Sequence, residues 1–514
     1  MFRLSRNERS HWSGNGVHVE PESVFMIGRN MHDKELSSDH KSKAAIWGLS
    51  LRGGSMPAFT TQCPEPINIY PQYHISSLFN IIFFMQSGEY MIEHITIKNF
   101  LIIRNADFEI KRINVIIGPQ ANGKSVIAKL TYYFKSISEI FLESIRTNDS
   151  KRELDKKLLS RFEERFPRYT WEGTAFSIKY EVDGLDFHIT GSKTSKGKTS
   201  ISIKYCSALL KLYNNKKRQY QNKLTEQKAA AHNNKRDYSN SFHIFFEEIV
   251  EPCLDGEYHR FFSTSVFIPA SRSFFANLQK NIFTFLASNL DIDPFLKDFG
   301  RLYESSKRWY NDDMIRDNRK LSEKIDKSLQ AIVDGDYEYN DEQDWIVSRG
   351  KKVNLANASS GQQESLPMLL VLCVYPFLRE RERGNMFFIE EPEAHLFPTS
   401  QGYIISILSL LYKHLGTNFF ITSHSPYVLS ALNNFIMAAD AVAKNHITDE
   451  QFTDINGSGV PIKFDDISAY TITDGITNSI MDAEYRMIGG HLLDNISEHF
   501  ESVMHTLLGF ECEK

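Results

Sequence analysis

A glycine-rich loop between residues 118 and 125 contains the first side chains that could carry chemistry. Its sequence, GPQANGKS, follows the apolar run 113–117 and precedes a run compatible with a helix, 126–130. In such a strand–loop–helix unit, backbone N–H groups point at phosphate oxygens, a lysine reaches the β- and γ-phosphates, and a serine hydroxyl binds Mg²⁺. The residues predicted to bind a nucleotide here are Gly118, Asn122, Gly123, Lys124, Ser125 and Val126.

Two acids and a histidine follow at the ends of two later apolar runs. The run 386–389 ends in Glu390 and Glu391, and a second run leads to His424, 33 residues after Glu391. Acids at the carboxyl end of a buried strand are where α/β nucleotide sites place groups that bind Mg²⁺ and activate water. Glu390 is therefore predicted to bind Mg²⁺, Glu391 to polarise the attacking water, and His424 to hydrogen-bond the γ-phosphate. Together with Lys124, Glu391 and His424 are the predicted catalytic residues.

A small polar loop at 358–364, with the sequence ASSGQQE, precedes the apolar run 366–378. It could bind an anion, because the first N–H groups of a helix have no partner within the helix. It could also be an ordinary helix cap, in which Ser359 or Ser360 accepts from the helix and Gln363 or Glu364 reaches back. Taken alone, this loop is interpreted as such a cap.

Together and in this order, the four motifs resemble the head of ATP-binding-cassette (ABC) ATPases. In that family the serine–glycine loop contacts ATP bound by a partner head, and the resemblance assigns this role to Ser359, Gly361 and Gln362. Segment 392–398 is similar to the loop that crosses between heads. The resemblance implies ATP and Mg²⁺ as ligands and a homodimer or higher homo-oligomer. It also implies an α/β fold: an ABC-type P-loop ATPase head with an inserted helical/β lobe and a C-terminal helical segment.

The spacing of the motifs suggests how the chain is divided. Lys124 and Ser359 are 235 residues apart, more than the resemblance requires, so an insertion is predicted. The predicted parts are a disordered extension or misassigned start at 1–90, the first part of the head at 91–135, the inserted lobe at 136–262, the rest of the head at 263–440, and a C-terminal helical segment at 441–514. For residues 1–90, the alternative is a small regulatory domain.

The predicted insertion contains a hairpin signal and a basic stretch. Alternation over 171–190 and the pair Asp183-Gly184 predict a β-hairpin. Residues 211–236 include eight Lys or Arg and one acid, Glu226. This stretch could bind DNA or an acidic partner, or it could be a solvated helix or a loop. The net charge of the whole chain is −5, so affinity for polyanions would have to be local.

Arg272 follows the apolar run 266–268, in the sequence IPASRS. It could approach a phosphate, brace Glu391, or pair with an acid on a helix. This sequence resembles a stretch of the OLD (overcoming-lysogenisation-defect) branch of ABC ATPases. The chain after the head is too short for the Toprim nuclease half of OLD enzymes, so it resembles stand-alone OLD-like ATPases. Among these, the AriA-type subunits of PARIS anti-phage systems fit best, and the PtuA-type subunits of Septu and retrons are a close alternative.

That resemblance implies a cytoplasmic sensor or regulatory subunit of bacterial antiviral defence. It would respond to DNA or to an acidic phage protein and control a separately encoded nuclease of Toprim or HNH type. Two alternatives stay open: a RecF- or SMC-like DNA-repair ATPase, and a scaffold that binds ATP without hydrolysing it. No apolar run reaches the roughly 18–20 residues of a membrane-spanning helix, so no membrane partner is predicted.

Overall fold

The computed structural model describes residues 93–233, 241–278, 292–312, 314–378, 385–489, 502 and 504. The predicted extension at 1–90 lies outside these ranges. Within them, no helix is both long enough and apolar enough to cross a membrane.

The chain alternates between strands and helices in an α/β arrangement. The strands are β1 (Glu93–Phe100), β2 (Ile103–Ile110), β3 (Ile113–Ile117), β4 (Phe176–Val182), β5 (Leu185–Lys193), β6 (Thr199–Tyr205), β7 (Ser265–Ile268), β8 (Asp336–Asn340), β9 (Gln343–Ser348), β10 (Lys351–Asn354), β11 (Met386–Glu390), β12 (Asn418–Ser423), β13 (Ile467–Thr473), β14 (Ile476–Ser479), β15 (Met481–Asp482) and β16 (Met487–Ile488). The helices are α1 (Lys124–Lys135), α2 (Ile137–Arg146), α3 (Lys151–Arg165), α4 (Ser207–Asn233), α5 (Ser241–Phe245), α6 (Glu251–Leu254), α7 (His259–Phe262), α8 (Pro294–Trp309), α9 (Arg319–Val333), α10 (Ser360–Leu378), α11 (Pro398–Leu415), α12 (Pro426–Ala443) and α13 (Asp449–Asn456).

Eleven strands of the described ranges form one sheet, in the order β6-β5-β4-β1-β2-β14-β13-β3-β12-β11-β7. One half, from β6 to β2, is antiparallel. The other half is parallel and runs from β13 through β3, β12 and β11 to β7. Strands β8, β9 and β10 form a separate antiparallel sheet.

The register of the parallel half brings the ends of its strands to one edge, which we call the carboxyl edge. Ile117 at the end of β3 lies beside Ser423 at the end of β12. Thr422 of β12 lies beside Glu390, the last residue of β11. Because parallel strands end on the same side of a sheet, the residues that follow β3, β7, β11 and β12 meet there.

Apolar runs form the central strands because both faces of the parallel half are covered. All five residues of β3 and all five of β11 are buried. Alternate side chains enter two separate cores: Phe387 and Ile389 pack in one, and Met386 and Phe388 in the other. This two-sided burial is what fully apolar strands of parallel sheets require.

The predicted hairpin at Asp183-Gly184 is confirmed. Strands β4 and β5 pair antiparallel up to Val182 and Leu185, and both turn residues have positive φ. Much of the predicted insertion is nevertheless continuous with the head, because β4 pairs with β1 and so extends the main sheet. The basic stretch from Lys211 to residue 233 lies in α4, and residues 234–236 are outside the described ranges.

Residues 444–489 differ from the helical segment expected at 441–514. Their α-helix is α13, and the four strands β13 to β16 lie within 467–488. Residues 490–514, apart from 502 and 504, lie outside the described ranges. Strand β13 enters the main sheet next to β3, where its apolar residues Ile467, Ala469 and Ile472 are fully buried. An alternating apolar strand is therefore used to cover the flank of β3, which a surface helix could not do by hydrogen bonding.

Candidate nucleotide site

The glycine loop joins β3 to α1 in a shape that its glycines permit. Gly123 has φ of 98°, a conformation that costs other residues steric strain, and a Cβ there would lie 2.3 Å from Ile103 Cδ1. A Cβ on Gly118 would lie 2.6 Å from the carbonyl oxygen of Ile472 in β13. Asn122 is within the loop and donates to Gln120 O at 3.4 Å, while Ser125 and Val126 are in the first turn of α1.

Lys124 lies at the start of α1 and is buried. Its Nζ is 2.7 Å from Gly118 O, 2.7 Å from Pro119 O and 3.2 Å from His424 Nδ1. Burial lowers the pKa of Lys124, and the negative charges of Glu391 and Glu393 act in the opposite direction. An ammonium group has three donors and no acceptor, so these contacts use all three.

His424 connects Lys124 to the acidic end of β11. Because Lys124 can only donate, His424 Nδ1 must accept, and the imidazole proton is on Nε2. His424 Nε2 lies 3.1 Å from Glu391 Oε1 and donates to it. The three predicted catalytic residues thus form one hydrogen-bonded chain, Lys124–His424–Glu391, at the carboxyl edge.

Glu390 and Glu391 occupy different environments although they are adjacent. Glu390 is buried, and its Oε2 accepts from the N–H of Ala270 at 3.1 Å, while its Oε1 is buried without a hydrogen-bond partner among the described residues. Glu391 is half-buried and has φ of 45°. Its N–H donates to Thr422 O at 2.9 Å, which ties the turn to β12.

Glu393 is a site residue that sequence reasoning placed only within an interface loop. Its Oε1 accepts from Ser423 Oγ at 2.8 Å and from the N–H of His424 at 2.7 Å. Its Oε2 is buried and lacks a partner among the described residues. Glu393 thereby fixes the backbone of His424 where β12 ends. The signal in the sequence was only the spacing of acids after β11.

Arg272 has two of the three roles that were expected for it. Its fully buried guanidinium donates from Nη1 to Glu390 O at 2.7 Å and from Nη2 to Glu391 O at 2.9 Å, so it braces the catalytic turn. It also pairs with a helix acid, since Arg272 Nε lies 3.4 Å from Glu364 Oε1 on α10. Burial lowers the pKa of Arg272, and the surrounding carboxylates, Glu364 foremost, oppose that change.

The serine–glycine loop forms a helix cap on the surface. Ser359 is exposed and its Oγ accepts from the N–H of Gln362 at 3.3 Å, while Gln362 Oε1 accepts from the N–H of Ser359 at 3.0 Å. This is a reciprocal cap of the kind predicted for the loop taken alone, with Ser359 as the capping residue. The residue that reaches back is Gln362, three positions after Ser359, and not Gln363 or Glu364 as predicted. Gly361 packs closely on the turn after β11, because a Cβ there would lie 2.8 Å from His395 O.

Comparison with known proteins identifies an ATPase domain. Residues 260–429 match the family model described as the AAA ATPase domain. No curated protein matches the chain. The match begins after the glycine loop and includes β7, β11 and β12, whose ends form the carboxyl edge.

Several solved structures are similar at low identity. The SMC head domain from Thermotoga maritima is 10% identical with a TM-score of 0.31, over 76% of this chain and 98% of that chain. The Smc head from Pyrococcus furiosus bound to a ScpA domain gives 12% and 0.33, over 79% and 99%. The recombination mediator protein RecF gives 14% and 0.26, over 76% and 98%. These likenesses are too slight to support a statement about function.

The chain is an α/β ATPase. The family match at 260–429 confirms the ATPase class expected from the motifs, and the mixed α/β sheet confirms the expected fold class.

Proposed function

We propose that this ATPase hydrolyses ATP with Mg²⁺ between paired heads and regulates a separately encoded nuclease in antiviral defence. The observation that carries the hydrolytic part is the Lys124–His424–Glu391 chain, with contacts of 3.2 and 3.1 Å. In this chain, one nitrogen of the His424 imidazole is hydrogen-bonded to Lys124, the cation that would bind phosphate. The other is hydrogen-bonded to Glu391, the carboxylate that would orient water.

The groups at the carboxyl edge suit ATP and Mg²⁺. Phosphate oxygens can replace the carbonyls of Gly118 and Pro119 that Lys124 now contacts, because all are acceptors. Glu390 Oε1 is a buried oxygen without a partner among the described residues, and an oxygen of this kind suits Mg²⁺. Ser125 would supply a second ligand. Mg²⁺ commonly takes only one or two protein ligands.

Each residue of the chain has a distinct task in hydrolysis. Glu391 accepts a hydrogen bond from the attacking water and so orients it. His424 holds the Glu391 carboxylate through Nε2–H, and Lys124 stabilises negative charge that develops on the phosphates. Bound Mg²⁺ would neutralise charge on the β- and γ-phosphates.

ATPase assays test this assignment. We expect Glu391→Gln to lower kcat at least about 100-fold while affinity for a fluorescent ATP analogue stays within about threefold, since it removes a group that acts on water. Lys124→Ala should weaken analogue binding itself. Lys129→Ala is the matched control, because Lys129 is on the same helix and pairs with Asp293 at the surface. A Glu391→Gln variant with the wild-type rate contradicts the proposal.

The resemblance to ABC heads supports a second head as partner. Ser359 is exposed, so its loop is accessible to nucleotide on another copy. The Glu391→Gln protein should become dimeric or larger with ATP in sedimentation experiments, and Ser359→Arg should block that change. A mass that does not depend on ATP contradicts this part of the proposal.

The defence role rests on the resemblance to stand-alone OLD-like ATPases, AriA-type first and PtuA-type second. Phage plating on cells that carry the native locus tests it. A plating loss of several logs that disappears with Lys124→Ala supports defence, and deletion of a neighbouring Toprim or HNH nuclease gene should abolish it too. No plating loss across a broad phage panel, with DNA-stimulated hydrolysis, favours the RecF- or SMC-like repair function instead.

A basic surface supports a polyanionic trigger. Between Phe187 and Thr225 the chain has nine Lys or Arg and no Asp or Glu. Four exposed lysines on the β5–β6 hairpin have no ion pair within the described ranges: Lys193, Lys196, Lys198 and Lys204. We call this surface the hairpin patch. Lysines of this kind bind phosphate backbones through release of counterions.

Anisotropy of a labelled DNA duplex at 50 and 200 mM salt tests the hairpin patch. Replacing its four lysines by glutamine should weaken binding about tenfold or more at low salt and flatten the salt dependence. Replacement of the exposed Lys320, Lys324 and Lys327 of α9 is the control. Unchanged DNA binding excludes DNA at this patch and leaves an acidic phage protein to be tested by the same variants.

A further inference from the structure

The Arg272 side chain uses Nε, Nη1 and Nη2 as hydrogen-bond donors, although it contacts neither loop 118–125 nor His424. Its backbone N–H and Nε donate to Glu364, at 2.9 Å to Oε1 and 3.0 Å to the carbonyl oxygen. Its Nη1 reaches Pro269 O at 3.0 Å as well as Glu390 O. A planar guanidinium can make such a set because its five donors are fixed in one fork.

The contact with Glu391 bears on its strained backbone. Glu391 has φ of 45°, in the left-handed region, where the Cβ of a non-glycine residue approaches its own backbone and strains it. Both its backbone polar groups are hydrogen-bonded. The N–H donates to Thr422 O at 2.9 Å, and the carbonyl oxygen accepts from Arg272 Nη2 at 2.9 Å and from the N–H of Ala394 at 3.1 Å. Arg272 thus provides one of three hydrogen bonds that hold the backbone of Glu391 in its left-handed conformation, and it does so from a side chain, whereas the other two come from backbone groups.

The other side of Arg272 is attached to α10. Glu364 is buried and also accepts from the N–H of Ser273 at 2.8 Å, so its carboxylate cannot move independently of the segment after β7. Glu364 is four residues after Ser360, the first residue of α10. The helix therefore begins at the loop assigned to the partner's nucleotide and, one turn later, is bonded to the residue that braces Glu391.

We propose that Arg272 is a positioning residue that couples the start of α10 to Glu391. The inference rests on the proposed function, in which residues 359–362 contact ATP held by a second head. The contacts from Glu364 through Arg272 to Glu391 are already formed in the single chain, so a displacement of α10 on binding of the loop to the partner's ATP is transmitted to Glu391. The rate at which a head hydrolyses its own ATP then depends on engagement of its loop on the other site.

The interior geometry makes this coupling short and direct. Glu364, Arg272 and Glu390 are all buried, and close-packed interiors transmit displacements because there is little free volume to absorb them. A displacement of about 1 Å at a catalytic group can cost about 100-fold in rate. A small shift of α10 is therefore sufficient to change the rate at Glu391.

Steady-state ATP hydrolysis of the full chain tests the proposal. Arg272→Lys keeps the charge but loses the fork, so it cannot hold both the Glu390 and Glu391 carbonyls and Glu364. We expect kcat to fall about 10- to 100-fold. The KM for ATP should stay within about twofold, because Lys124 and its loop are unchanged. The Hill coefficient for ATP should fall from above 1 in the wild type to 1.

A matched control is available elsewhere in the chain. Arg316 is also a buried arginine that donates to two carbonyls, Tyr310 O and Ser322 O, and to the carboxylate of Asp326. Arg316→Lys should lower the melting temperature by a similar amount and leave kcat and the Hill coefficient unchanged. Glu364→Gln is the second test variant, and it should lower kcat and the Hill coefficient even if Arg272→Lys does not fold.

The outcomes separate this inference from the proposed function. If the wild type hydrolyses ATP with a Hill coefficient of 1, or if Arg272→Lys and Glu364→Gln keep the wild-type kcat, the coupling is overturned and the ATPase assignment stands. If Arg316→Lys lowers kcat as much, or if neither test variant folds, the role of Arg272 is structural. If the wild type does not hydrolyse ATP, the proposed function and the coupling both fail.

Discussion

Glu393 offers a sharp test of how the site is assembled, because one of its oxygens holds both the side chain of Ser423 and the backbone of His424. Replacement by alanine leaves a buried donor, Ser423 Oγ, and a half-buried one, the N–H of His424, without this acceptor, and the loss for a buried donor costs about 1–3 kcal/mol. Part of that cost is offset, because the partnerless Oε2 is also removed from the interior. We expect Glu393→Ala to lower the free energy of unfolding by about 2 kcal/mol.

The same substitution should lower kcat more than stability alone explains. Without Glu393, the backbone of His424 loses a contact of 2.7 Å, and the 3.1 Å contact of His424 Nε2 with Glu391 is no longer fixed. We expect kcat to fall about 10- to 100-fold. Glu393→Gln keeps an acceptor at Oε1, so its kcat should stay within about threefold of the wild type, since only the charge assistance of the two bonds is lost.

Urea unfolding and ATP hydrolysis at saturating ATP, measured on the same preparations, separate the two effects. The control is Asp344→Ala, because Asp344 is a fully buried carboxylate that accepts from Tyr303 and Tyr337, both at 2.6 Å, in the separate sheet of β9. It should lose at least as much stability but keep its kcat. A folded Glu393→Ala protein with the wild-type kcat, or an equal loss of kcat in Asp344→Ala, refutes the reasoning.

Three further predictions concern other parts of the chain. Burial alone would raise the pKa of Glu364, but the charge of Arg272 and the backbone N–H donors outweigh burial and hold this pKa below its ordinary value of 4.5. The ionised Glu364 therefore contributes stability above pH 4.5, and this contribution is lost as the pH falls. Urea titrations below that pH should therefore show a steeper loss for the wild type than for Glu364→Gln, and equal slopes would count against this pairing. Burial raises the pKa of Cys373 to about 12, so a maleimide at pH 7 should modify Cys373 only after the protein is unfolded. The half-buried Cys206 should be modified in the folded protein, and mass spectrometry distinguishes the two sites. Gly361→Ala places a Cβ 2.8 Å from His395 O and should lower the rate of ATP hydrolysis several-fold; an unchanged rate would show that the turn can yield.

The residues that the sequence could reveal are those whose neighbours are close along the chain. The loop at 118–125 and the hairpin at Asp183-Gly184 are set by glycine positions and by local alternation, which depend on short-range sterics. The carboxyl edge could be inferred because apolar runs that end in polar residues indicate parallel strands. For the same reason, Glu391 and His424 were expected near Lys124.

The rest of the site depends on pairs that are far apart in sequence. Arg272 and Glu364 are separated by 92 residues, and nothing local indicates which of several acids a buried arginine will meet. Glu393 contacts Ser423 and His424, which follow it by 30 and 31 residues. From the sequence, Glu393 was expected only to belong to the loop after Glu391. Strand β13 carries a visible alternation, but its partner β3 could not be identified because strand pairing is decided by long-range packing.

The position of β13 late in the chain also determines when, during synthesis, the strand before the nucleotide loop can reach its native pairing. Ile467 pairs with Ile113, so the strand that precedes the loop gains this neighbour only after more than 350 further residues have been added. Ribosomes add about 5–20 residues per second, so the nascent chain exposes one flank of β3 for tens of seconds. An unpaired strand edge in that interval is a site for aggregation, which makes this ATPase a candidate client of chaperones that bind nascent chains.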